Sequence, residues 1–272
     1  MDWTDKVMKR MKVVSREYKI MMDHRLFVDR KPAIMEFLAE IKALASQIGV
    51  NSADQVSKPK RRQVVFLDTP DFSIYLNGLI FRQRTDLDLK LTEYTLKARS
   101  PDRYLAGSAN IQPNDEHESE IKLEEDISTP FQVRFSHSGK CSGPLESPKT
   151  LGEASQMFPG LGELNRDGQI CSPDIKIKPV NAMTACERVI KGPKLTIGNV
   201  IAESAIIFWS NGKEGRPMVA EFSFRYSDKT ENYSGETVKT AKILFESMQR
   251  LDWFLPDGKP KTQFVYQANS KG

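Results

Sequence analysis

Apolar and polar residues alternate with a period of two along several stretches of the chain, as expected of strands whose two faces meet different surroundings. Residues 12–22 (KVVSREYKIMM) alternate in this way, and so do 62–68, 79–84, 93–99 and 118–127. Three further strands are expected within 175–191, 195–209 and 217–226, and 259–267 reads as a closing extended segment. The period changes to helical spacing at 32–49, where Ile34, Phe37, Leu38, Ile41, Leu44 and Ile48 form one apolar stripe. A second helix is expected after Ser234, a suitable N-cap, with Val238, Ala241, Leu244, Phe245, Met248 and Leu251 as its stripe. Thr150 with Glu153 reads as a capping box for a short helix near 151–158. Residues 51–62, 100–117 and 134–149 read as loops, and 69–78 as a turn or short helical link ending at Gly78. About eight strands that mostly follow one another directly argue for antiparallel pairing in an α+β fold.

The strand faces carry charge in a regular way. Ser15, Glu17 and Lys19 share a face, as do Ile80, Arg82 and Arg84, and Thr95, Lys97 and Arg99. Glu118, Glu120, Lys122 and Glu124 form another charged face, and Glu221, Ser223 and Arg225 a fifth. An ordinary half-exposed sheet, apolar against helices and charged toward water, produces the same alternation. Here the charged faces hold little Thr, Gln or Asn, and they divide by sign: Arg82, Arg84, Lys97 and Arg99 on neighbouring strands, and Glu17, Glu118, Glu120 and Glu221 on others. A solvated face usually mixes the signs, so separated blocks weigh against that reading.

Composition limits the alternatives. The chain has 272 residues, 39% hydrophobic and 28% charged, which fits one globular domain spanning 1–272. Forty basic and 36 acidic residues leave a formal net charge of only +4, so no cationic footprint for nucleic acid is expected. Three cysteines without a CxxC argue against a disulfide framework or a zinc site. No apolar run reaches the length of a membrane span, and a cytoplasmic location is the expectation. The oligomeric state is not legible. There is no P-loop and no GxGxxG.

Blocks of opposite charge suit a ligand carrying several anionic oxygens. Arg forks and Lys ammonium groups neutralise such oxygens, while carboxylates hold Mg²⁺ or Mn²⁺ through oxygen ligation. SREYK (15–19), VVFLDTPDFSIYLNGLIFRQR (64–84), YTLKARS (94–100), HESEIKLEED (117–126) and VAEFSFRY (219–226) together resemble the CYTH superfamily of triphosphate tunnel metalloenzymes. The 64–84 stretch is the most specific of these, and the motifs in order span nearly the whole chain.

The resemblance implies a closed eight-stranded antiparallel barrel, or tunnel, with flanking helices. It implies a divalent-metal-dependent hydrolase, with Mg²⁺ or Mn²⁺, acting on an inorganic or organic triphosphate. Carried over by position, Glu17, Lys19 and Arg82 are catalytic. Lys19, Arg82, Arg84, Lys97, Arg188 and Lys261 bind substrate phosphates, and Glu17, Glu118, Glu120 and Glu221 hold the metal. The expected partner is a small-molecule triphosphate or polyphosphate, with neither nucleic acid nor membrane. Two departures weaken the metal side: Ser15 stands where the family's first Glu is found, and Ser223 where a second carboxylate is common. The alternative is therefore a non-catalytic phosphate-binding barrel with a degenerate metal site. His24, His117 and His137 lack metal-ligand spacing, and Asp68 in FLDTP reads as a turn residue.

Overall fold

A computed structural model describes residues 11–114, 119–212 and 215–267. Nine strands carry the fold: β1 (Val13–Met22), β2 (Lys60–Asp68), β3 (Leu79–Asp86), β4 (Thr92–Ser100), β5 (Ser119–Ser128), β6 (Gln132–Gly143), β7 (Lys178–Lys191), β8 (Val200–Ser210) and β9 (Pro217–Ser227). They run β7-β2-β3-β4-β6-β5-β1-β9-β8, and β8 pairs back onto β7, so the sheet closes on itself. Closure creates an inside face and an outside face, and two short strands, Lys194–Ile197 and Asn51–Ala53, extend the sheet beyond β8.

The barrel differs from the expected one in two respects. It has nine strands, because Gln132–Gly143 is a strand where a Ser- and Gly-rich loop is expected from the sequence. The small residues there make room for crossing segments. A Cβ on Gly139 would sit 2.1 Å from the Ile111 carbonyl oxygen, and one on Gly143 would meet the Tyr94 ring at 2.7 Å. The second difference is orientation: β1 and β5 pair in parallel, with Glu17 opposite Asp126, while every other barrel pair is antiparallel.

Six helices accompany the barrel: α1 (Arg30–Gln47), α2 (Ser73–Leu76), α3 (Arg103–Ser108), α4 (Leu151–Met157), α5 (Gly235–Met248) and α6 (Lys261–Tyr266). The α1 and α5 stripes fall at the expected positions. Ile34, Phe37, Leu38 and Ile41 of α1, with Ala241, Leu244, Phe245 and Met248 of α5, pack on Tyr18, Ile20, Phe222 and Phe224. These barrel residues belong to the outward faces of β1 and β9. A second core lies outside β3 and β4, where Phe81, Tyr94 and Leu96 meet Ala154, Met157, Phe158 and Leu161. The caps form as read: Ser234 Oγ accepts from the Thr237 amide at 3.1 Å, and Thr150 Oγ1 from the Glu153 amide at 3.2 Å. Among the described residues, no helix is long and apolar enough to cross a membrane.

The closing segment 259–267 is not extended. Lys261–Tyr266 is the helix α6, and it seats one end of the barrel. Val265 packs with Met21, Val64, Phe66, Ile80, Ala185, Trp209 and Val219, which are inward-facing residues of six strands. Tyr266 donates its hydroxyl to Asp68 at 2.9 Å, and Asn181 Nδ2 donates to the Val265 carbonyl at 2.7 Å. Asp68 also accepts from the Thr69, Ile74 and Tyr75 amides, so its role in the turn extends to anchoring α6.

The outer core should dominate stability. Phe37 is fully buried, with its ring centroid 5.2 Å from that of Phe222 and 5.6 Å from that of Trp253. Phe37→Ala is expected to cost about 3–5 kcal/mol in denaturant unfolding. Met35→Ala, at an exposed position on the same helix, should change stability by no more than about 0.5 kcal/mol.

Candidate functional site: the charged barrel interior

The outward faces are apolar and helix-covered, so the charged faces turn inward. On β1 the inward residues are Ser15, Glu17, Lys19 and Met21, between buried outward Tyr18 and Ile20. On β3 and β4, Arg82 and Arg84 stand opposite Thr95 and Glu93, and Ile80 stands opposite Lys97. On β5 the same face continues to Glu124 and Asp126, and on β9 it carries Glu221, Ser223 and Arg225. Below them lies the apolar seat of α6. At the opposite end the interior opens into a cleft of about 620 Å³ whose lining includes Arg62, Arg84, Asp86, Glu93, Glu120 and Lys140.

Asp126 is the hub of the acidic side. Lys19 Nζ lies 2.7 Å from Asp126 Oδ1 and 2.8 Å from Glu17 Oε2. Arg99 Nη2 approaches Asp126 Oδ2 at 3.4 Å, and Ser136 donates to the same oxygen at 2.6 Å. Desolvation opposes the charges on both Asp126 and Lys19, but the attraction between them wins. The carboxyl of Asp126 is held well below its ordinary range and the ammonium of Lys19 well above. Glu17 is likewise held low, chiefly by Lys19 acting against desolvation.

Further along, Glu221 Oε1 pairs with Lys261 Nζ at 2.7 Å, a contact supplied by α6. Lys261 also stands 6.0 Å from the Trp209 ring centroid. Glu187 accepts from Trp209 Nε1 at 3.0 Å and from Arg62 at 3.3 Å, with Arg84 Nε at 3.5 Å. These cations overcome desolvation and hold Glu187 at about 2.

The basic side is not balanced in this way. Arg82 makes one long contact, Nη2 to Thr95 Oγ1 at 3.3 Å, and its buried Nε has no hydrogen-bond partner. Desolvation, then the neighbouring Arg84 charge, push Arg82 below its ordinary value against the attraction of Glu187 and Glu93. A guanidinium stays protonated near neutrality, so this cost falls on stability and not on charge. Lys97 is pushed down to about 8, first by desolvation and further by Arg99 and Lys19 against the attraction of Asp126. Among the described residues, Arg82 and Lys97 thus stand inside the barrel without a carboxylate in hydrogen-bonding contact.

The structure brings Glu17, Lys19, Arg82, Arg84, Lys97, Glu221 and Lys261 to one interior, with Glu120 near its mouth beside Lys122 at 2.6 Å and Lys140 at 3.4 Å. Glu118 lies outside the described residues. Arg188 does not join them. It pairs in register with Phe208, and its face carries Cys186 and Ile190, so it points to the outside of the barrel. Its neighbour Glu187 is the inward residue. The apolar company of Ile190 on the Arg188 face was the available signal. Asp126 was missed although one more step of two beyond Glu124 reaches it. The sign division is also incomplete, since Lys19, Lys261 and Arg225 stand among the carboxylates.

A divalent cation prefers several oxygen ligands with few competing cations. Among the described residues, no group of three or more acidic, His or Cys side chains is placed to hold an ion. Glu17, Glu120 and Glu221 each already face an ammonium group. Ser15 Oγ donates to Glu124 at 2.7 Å and adds no anionic donor. The implied Mg²⁺ or Mn²⁺ therefore does not fit this donor set. His137 is buried on the outward face of β6, where burial pushes it down to about 4, and it stays neutral at pH 7.

No protein-family model matches the chain, and no curated protein matches its sequence. Solved structures similar to it include HpAC1 from Hippeastrum, described as having a dominant triphosphatase activity. It is 13% identical at a TM-score of 0.40, covering 94% of this chain and 96% of that one. A candidate adenylate cyclase from Bacillus halodurans is 12% identical at 0.39, with coverages of 93% and 97%. The PH1819 protein from Pyrococcus horikoshii is 8% identical at 0.42, with coverages of 93% and 99%. Superpositions this loose carry no weight for activity, and the chemistry of the site rests on its own side chains.

Proposed function

We propose that the barrel interior binds the phosphate chain of a small triphosphate-bearing or polyphosphate molecule, with Arg82, Lys97, Arg84 and Arg99 as its cationic wall. The observation that carries this reading is the imbalance of charge. Arg82 carries a buried Nε without a partner, and among the described residues neither it nor the half-buried Lys97 has a carboxylate contact, whereas Glu17, Asp126, Glu187 and Glu221 are each paired. A partly desolvated charge without a partner is costly, and a ligand of opposite sign would relieve that cost. A phosphate chain offers several oxygens at the spacing of adjacent strands. It would accept from the Arg82 fork and the Lys97 ammonium with charge-assisted hydrogen bonds.

The motif resemblance favours a triphosphate over a single phosphate. Hydrolysis is the second reading. It requires an attacking water and stabilisation of the charge on the transferred phosphoryl group. Arg82 and Lys19 stand ready for the second task. The paired state of Glu17 and Glu221 favours binding over turnover.

Two outcomes follow. Arg82→Met and Lys97→Met should each weaken tripolyphosphate binding about 10–100-fold in calorimetry, from the loss of one or two charge-assisted contacts. The same substitutions should leave the melting temperature of the free protein unchanged or higher, because each removes an uncompensated charge. A fall in melting temperature with unchanged affinity would contradict the assignment.

The second outcome concerns pH. Lys97 in the free protein loses its proton near pH 8, and a bound anion would hold it on. Binding should therefore take up a proton above about pH 8, and affinity should decline as pH rises beyond that value. Because its folded value lies below the unfolded one, Lys97 costs the free protein stability at pH 7, and that cost fades between pH 8 and the ordinary lysine value. Lys97→Met should lose this part of the pH dependence, measured by calorimetry in buffers of different ionisation enthalpy.

A further inference from the structure

We propose that the interior carries its own counter-cations in place of a divalent metal, and so takes the phosphate chain metal-free. Lys261 neutralises Glu221, and Lys19 neutralises Glu17 and Asp126. This inference rests on the proposed phosphate binding and concerns what that binding requires.

The contact of Lys261 with Glu221 is built into the architecture. Glu221 is 4% exposed, and its partner comes from α6, a separate element that has to be docked for the pair to form. That docking is secured at several points: the Val265 side chain in the apolar seat, the Tyr266 hydroxyl on Asp68, and Asn181 on the Val265 carbonyl. Thr262, next to Lys261, receives a 3.4 Å contact from Arg99, itself on Asp126. Lys261 is thus an anchored cation, with the Trp209 ring on one side. A divalent ion arriving at Glu221 would have to displace this ammonium and then sit near the charges of Lys19 and Arg99.

The second carboxylate position fails for a related reason. Glu17 and Asp126 share one ammonium, Lys19, at 2.8 and 2.7 Å. That is the arrangement of two anions around one cation, with a lysine nitrogen at the centre. Neither Ser15 nor Ser223 adds a charge that would tip the balance toward a metal, and Ser15 Oγ is turned to Glu124. With the acids neutralised internally, the excess positive field of Arg82 and Lys97 is available to the anion directly.

The test is calorimetry of tripolyphosphate with the full chain in EDTA and in excess Mn²⁺, together with Mn²⁺ titration alone. The expected result is binding in EDTA as tight as with Mn²⁺ or tighter, since Mn²⁺ masks the ligand's charge, and no binding of Mn²⁺ by the protein alone. Binding at least tenfold weaker in EDTA, or Mn²⁺ binding without phosphate, would overturn the inference while leaving phosphate binding intact. Absence of binding under both conditions removes the proposed function and this inference with it. Lys261→Ala adds a second readout: it should weaken tripolyphosphate binding in EDTA and create a Mn²⁺-dependent rise in melting temperature that the unaltered chain lacks. An unchanged response to Mn²⁺ in a folded variant would count against the role given to Lys261. If that variant fails to fold, the comparison on the unaltered chain still decides.

Discussion

Charge inside a closed barrel has to be balanced by charge, because water reaches it poorly and desolvation is expensive. This constraint organises the interior of the protein. Asp126 gathers Lys19, Arg99 and Ser136, while Glu187 gathers Arg62, Arg84 and Trp209. Glu221 waits on a helix from the far end of the chain for Lys261. Where the balance stops, at Arg82 and Lys97, the interior is predisposed toward an anion. The functional reading is thus a statement about which charges have partners and which do not.

The scaffold makes such an interior tolerable by placing its hydrophobic cohesion elsewhere. Phe222, Phe224 and Tyr18 face outward into the α1 and α5 core, and Phe81 and Tyr94 face the α4 core. The barrel is held from the outside, which frees the inward positions for polar chemistry. Only at the α6 end does the interior become apolar, and there Val265 fills it. The same helix therefore does two jobs, sealing one end and presenting Lys261 to the charged zone.

Much of this was legible in the sequence, because strand alternation reports directly on two unlike faces. The inward placement of Glu17, Lys19, Arg82, Arg84, Lys97 and Glu221 follows from that period once the barrel closes. The family-level motif around FLDTP also locates the turn that Asp68 ties together. What escaped has physical causes. Gln132–Gly143 imitates a loop because it carries Ser and Gly, with Gly139 set against the Ile111 backbone and Gly143 against the Tyr94 ring. Arg188 was placed inside because alternation gives two faces without saying which is which; there only Ile190, packed in the outer core, distinguishes them. Lys261–Tyr266 is too short for a helical period to register, and its partners Glu221 and Asp68 are distant in the chain. The pairing of the interior carboxylates with lysines and arginines is likewise a property of three-dimensional proximity, invisible in a list of acids.

The central claim is that a phosphate chain lies inside the barrel against the unbalanced cations. A crystal structure of the protein with tripolyphosphate tests it most directly. The account predicts phosphate oxygens within hydrogen-bonding distance of the Arg82 guanidinium and the Lys97 ammonium, with Lys261 still on Glu221. Phosphate bound instead at the exposed basic residues Lys58, Lys60 and Arg61, with the interior unchanged, would contradict it.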